Sequence, residues 1–131
     1  MRFIPTRIHG ILDYLVGAVL ILAPFIFGFA TGGAAQWTPI LIGAAIIISA
    51  LFTDFELGVV RKMPMQGHLG LDVVLGIVLA VSPWLFAFSA VVWVPHLIVG
   101  LALIGLGLTT QLTPAEAGPR RGRRLEQHAA S

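Results

Sequence analysis

The sequence predicts an all-α membrane protein, with four transmembrane helices in two tandem helical hairpins related by a pseudo-two-fold axis along the membrane normal. Three observations predict it. The 131 residues are 57% hydrophobic and only 11% charged, with a mean hydropathy of +0.95; a soluble domain carries about 25% charged residues. Four apolar stretches approach the ~20 residues that cross a bilayer. Finally, the segment Pro5 to Phe29 recurs as Pro64 to Phe88, displaced by 59 residues without a gap. A fixed-offset match of this kind marks a repeated structural unit.

The first span runs from about Ile8 to Phe29, after Arg2 and Arg7. A basic start, an apolar stretch and the small residues Ala34 and Ala35 resemble a cleavable leader. Asp13 within the apolar stretch, and the return of the same unit at 64–88, favour a retained helix. The uncharged segment 30–36 leads to the second span, from Trp37 to about Phe55. The segment from Thr53 to Gly67 carries Asp54, Glu56, Arg61 and Lys62. These acids are expected to be solvated or paired with the two basic residues. The third span runs from about His68 to Phe88 and the fourth from about Trp93 to Leu112, with only Ser89 to Val92 between them. Short connections make antiparallel neighbours, so each repeat is a hairpin. The expected units are 1–58 and 59–113, followed by a polar, Arg-rich tail at 114–131 that reads as disordered.

The eight Lys and Arg residues all fall on one side of this arrangement. The positive-inside rule then places both termini in the cytoplasm. This distribution also argues against nucleic-acid binding, despite a pI near 9.9. Arg120, Arg121, Arg123 and Arg124 suit anionic lipid headgroups, or serve only to set topology. There are no cysteines, which excludes thiol chemistry.

On a helical wheel, His9, Asp13, Gly17, Leu20, Pro24 and Phe27 share a sector about 80° wide. Their counterparts His68, Asp72, Gly76, Leu79, Pro83 and Phe86 do the same. Shared faces point to shared packing, so the first and third spans are expected to meet, with Gly17 and Gly76 allowing close approach. Ala45, Ser49, Gly100, Gly105 and Gly107 offer further small-residue contacts. Pro24 and Pro83 free the carbonyls of Leu20 and Leu79 and are expected to kink their helices. Trp37 and Trp93, each followed by a Pro in the first helical turn, are placed as interfacial anchors.

The one motif with chemical potential is His-x3-Asp: His9 with Asp13, and His68 with Asp72. Residues four apart share a helix face, and ionisable groups inside spans mark functional sites. Three readings stay open. The acids are solvated near the inner interface, or bonded to their own histidines or Arg7. The set relays protons. Or it holds a divalent metal through N and O donors, although no metal is called for by spacing alone. His96 is expected at the outer interface.

Ser82-Pro83-Trp84, late in the first helix of a hairpin, resembles the signature of the SPW repeat family of small bacterial integral membrane proteins. The likeness spans roughly residues 4–112, and the first copy reads Ala23-Pro24-Phe25. The resemblance implies location and fold, and brings no catalytic residue or cofactor with it. The functional expectation is therefore a non-enzymatic structural or interaction module in the lipid bilayer, compatible with a homo-oligomer. The alternative is a small proton- or ion-coupled permeation unit built on His9, Asp13, His68 and Asp72. An enzyme is not expected, because no nucleophile–base set or phosphate loop is present.

Overall fold

A computed structural model describes residues 1–114. The tail from 115 to 131, and the disorder and lipid contacts expected of it, lie outside the described residues. The described chain is helical throughout: α1 (Thr6–Ile26), α2 (Ala34–Leu51), α3 (Met65–Leu85) and α4 (Val94–Thr109). Three of these are long and apolar enough to cross a membrane, and α4, with 16 residues, is apolar but shorter. Many large apolar side chains face outward, Leu15 (58% exposed), Leu41 (63%) and Val74 (56%) among them, which suits a surface solvated by lipid rather than water.

Pro5 and Pro64 start α1 and α3 in the same extended geometry, with φ of -61° and -65°. Their carbonyls accept the amides of His9 and His68, both at 3.1 Å. The first helical turn thus fixes where each histidine points. At the far ends, α1 and α3 close with the same cap. The Phe29 amide donates back to the Pro24 carbonyl, and the Phe88 amide to that of Pro83, across Gly28 (φ 74°) and Ala87 (φ 58°). This left-handed turn tucks Phe29 and Phe88 under the helix ends, where both are buried.

Hairpin packing differs from expectation. Gly17 does not meet Gly76. A Cβ on Gly43 would stand 2.6 Å from the Gly17 carbonyl oxygen, and one on Gly100 would stand 2.6 Å from that of Gly76. The glycines therefore join α1 to α2 and α3 to α4, inside each hairpin. Gly107 packs against Leu69 and Val73 of α3, whereas Gly105 faces open space. The α1 and α3 backbones stay further apart than those within a hairpin, because long side chains fill the gap between them. Leu20, Ile42, Ile46, Leu79 and Leu103, drawn from all four helices, form the central aliphatic cluster. Ala23, Phe29, Ala35 and Phe88 form a second cluster toward the hairpin tips.

The return helices stop short of their expected ends for a shared reason. Beyond α2, Thr53 pairs with Met63, just before α3; beyond α4, Thr110 pairs with Ile4, just before α1. Arg2 adds bonds to the Gly107 and Thr110 carbonyls, at 2.9 and 2.8 Å. Each return helix thus hands its last carbonyls and its threonine to the start of the neighbouring hairpin.

Candidate functional site

His9 and Asp13 on α1 and His68 and Asp72 on α3 converge between the two hairpins, all 0% exposed. The contacts cross over. His9 Nε2 lies 2.7 Å from Asp72 Oδ2 and 3.0 Å from Asp13 Oδ2. His68 Nε2 lies 2.7 Å from Asp13 Oδ2 and 3.1 Å from Asp72 Oδ2. Each histidine is therefore nearer to the other hairpin's aspartate than to its own. The two imidazoles meet edge to face, 5.5 Å between centroids and 81° apart. Solvation of the acids, or pairing with Arg7, is ruled out for this arrangement: the carboxylates are buried, and Arg7 is exposed.

Two residues outside the expected site complete it. Thr53 Oγ1 lies 3.0 Å from His68 Nδ1, and Thr110 Oγ1 lies 2.8 Å from His9 Nδ1. Each threonine has a single hydroxyl hydrogen. Thr53 donates its own to the Ser49 carbonyl and Thr110 to the Leu106 carbonyl, both at 2.6 Å. The hydroxyl oxygens therefore accept from Nδ1–H, which places a proton on the outer nitrogen of each ring and leaves Nε2–H to donate to the carboxylates. Both Nε2 atoms then address the two carboxylates. The outer carboxylate oxygens, Asp13 Oδ1 and Asp72 Oδ1, are buried and have no hydrogen-bond partner.

Surrounding groups hold the quartet. Phe55 is buried and stacks on His68 at 6.3 Å, in space that a Cβ on Gly10 would take. Glu56 is not simply solvated: its carboxylate accepts from the Thr6 hydroxyl at 2.7–2.8 Å, beside the start of α1, where the helix dipole favours negative charge. His96, in the first turn of α4, is buried: it is 1% exposed and lies between Phe29 and Phe88 at centroid distances of 5.5 and 5.0 Å.

The signature tripeptide occupies the other end of α3. Ser82 and Pro83 are buried and Trp84 is half exposed, 6.0 Å from the Trp93 ring. In α1, Ala23 and Pro24 are buried and Phe25 is exposed. The family model of the SPW repeat domain matches residues 7–110. The chain belongs to the SPW repeat family. No curated protein and no solved structure matches it. Within this SPW repeat chain, the tripeptide and the quartet sit at opposite ends of α3, so the signature residues do not themselves line the polar site.

The threonines escape a sequence reading for a definable reason. The first helices of the repeats align at an offset of 59, whereas Gly43 with Gly100 and Thr53 with Thr110 align at 57. The slip ends the visible match at Phe29. A search for Thr at the close of each return span would have found both.

Proposed function

We propose that this SPW repeat protein is a non-enzymatic, multi-pass structural or interaction module of the bacterial cytoplasmic membrane, with two hairpins tied by a buried His–Asp latch. Both termini lie in the cytoplasm on this reading. The described basic residues Arg2, Arg7, Arg61 and Lys62 all lie on the side where α1 and α3 begin, in keeping with the positive-inside rule. All four helices span, the shorter α4 included.

The observation that carries the reading is the crossed pairing: each histidine's closest carboxylate, at 2.7 Å, belongs to the other hairpin. Glycines pack each hairpin internally, and the quartet joins one hairpin to the other. Equivalent contacts in the two halves support a pseudo-two-fold axis along the membrane normal, as expected of a tandem duplication with an even number of spans. Full burial of the quartet supports a latch over a water-filled route, which would need exposed polar walls.

Replacing both Asp13 and Asp72 by Asn tests the assignment. Removing one partner of a buried pair costs about 3–5 kcal/mol, so the double variant is expected to melt well below the wild type in lipid nanodiscs. In proteoliposomes under a pH gradient, the wild type is expected to pass no more protons than empty vesicles. Flux that the Asn substitutions abolish would replace the latch with the permeation reading. Reporter fusions at each terminus check the orientation; an external signal from either would refute it.

A further inference from the structure

We propose that the quartet is a binding site for one divalent transition-metal ion, with His9 Nε2, His68 Nε2 and the carboxylates of Asp13 and Asp72 as donors. The proposal rests on the latch reading and names the cation that closes the latch. Four donor atoms, one from each residue, lie within 4.8 Å of one another. Two imidazoles among them favour zinc, copper, iron or nickel over calcium or magnesium, which prefer all-oxygen shells.

The hydrogen bonding around the site points the same way. Metal-bound histidines characteristically donate their second N–H to a fixed acceptor, which sets the tautomer and the ring orientation. Thr53 and Thr110 provide that acceptor, each held by a carbonyl one turn back. The arrangement turns Nε2 of each ring inward, where it hydrogen-bonds two carboxylate oxygens 2.7–3.1 Å away and, on giving up that proton, offers a lone pair to a metal at the same place. Once the two Nε2 protons leave, two carboxylates and two neutral imidazoles carry a charge of −2, which one divalent ion balances. Donors about 2.0–2.1 Å from such an ion lie about 2.9 Å apart in a square arrangement and about 3.3 Å apart in a tetrahedral one. The four histidine–carboxylate separations, 2.7–3.1 Å, need only a small lengthening to reach these values.

The second observation is the pair of orphaned oxygens. Asp13 Oδ1 and Asp72 Oδ1 are buried without a hydrogen bond. A buried acceptor left unpaired is costly, and crossed pairing by hydrogen bonds alone leaves both in that state. A metal ion between the carboxylates gives each oxygen a partner by turning a one-oxygen contact into a two-oxygen one.

Zinc is the probe. The full chain in nanodiscs, stripped with chelator and re-equilibrated with Zn2+, is expected to retain about one ion per chain by elemental mass spectrometry. Its zinc-edge absorption should show imidazole nitrogen and carboxylate oxygen ligands. Asp13→Asn with Asp72→Asn should lose at least nine-tenths of the metal. Thr53→Val with Thr110→Val keeps all four donors and should bind ~10- to 100-fold more weakly. A folded wild type that takes up no zinc overturns the proposal, as does a double Asn variant that keeps it. The latch is judged apart, with chelator present throughout. If the wild type still melts above the double Asn variant but binds no metal, the latch stands and the metal site falls. If the two melt alike, the latch falls.

Discussion

Ser82 shows how one hydroxyl repairs the damage done by its neighbour. Pro83 has no N–H, so the Leu79 carbonyl loses its helical donor. Ser82 Oγ donates to that carbonyl at 2.7 Å, in a fully buried position. The first two letters of the signature are thus one device, a helix break and its repair. In α1 the same place holds Ala23, which has no hydroxyl to offer Leu20. Ser82→Ala is expected to lower stability by about 1–2 kcal/mol, read as a drop in thermal midpoint in detergent. Ala23→Ser should cause no such loss. Equal and opposite results at the two sites would show that the hydroxyl serves packing rather than the freed carbonyl.

Glycine placement decides how each pair of helices approaches. Gly43 and Gly100 face backbone atoms so closely that any Cβ must displace a helix rather than a side-chain tip. Gly43→Ala and Gly100→Ala are each expected to cost about 1–3 kcal/mol. Gly105→Ala, into open space, should be neutral or stabilising because Ala is the better helix former. Thermal unfolding of the three variants checks this, and a destabilised Gly105→Ala would contradict it. The helices themselves were legible in the sequence, since length and hydropathy report burial in lipid directly. Their partners were not. The stripe through His9, Asp13 and Gly17 reads as one face, yet Gly17 turns to α2 while Asp13 reaches α3. A helix in a bundle touches two neighbours, and a sector about 80° wide spans both contacts. The quartet's members were legible as rare intramembrane ionisable groups. Their crossing, and the threonines behind them, depend on where α2 and α4 end, which hydropathy does not resolve.

Across the whole molecule, polar and aromatic layers bracket an aliphatic middle. The His–Asp quartet lies on the side of the helix starts, and Phe29, Phe88 and His96 lie toward the hairpin tips. The joint that links α2 to α3 through Thr53 and Met63 has its counterpart where α4 meets the chain start through Thr110 and Ile4. One joint is spanned by covalent chain and the other is not. A circular permutant that joins Thr110 to Ile4 through a short flexible linker, and opens between Leu57 and Arg61, is expected to keep the same bundle and thermal midpoint within a few degrees. Loss of the fold on rewiring would mean that the 54–62 connection does more than tether, with Glu56 on Thr6 the first contact to restore. Retention would make the ring of four helices, rather than the line of four, the unit that this sequence encodes.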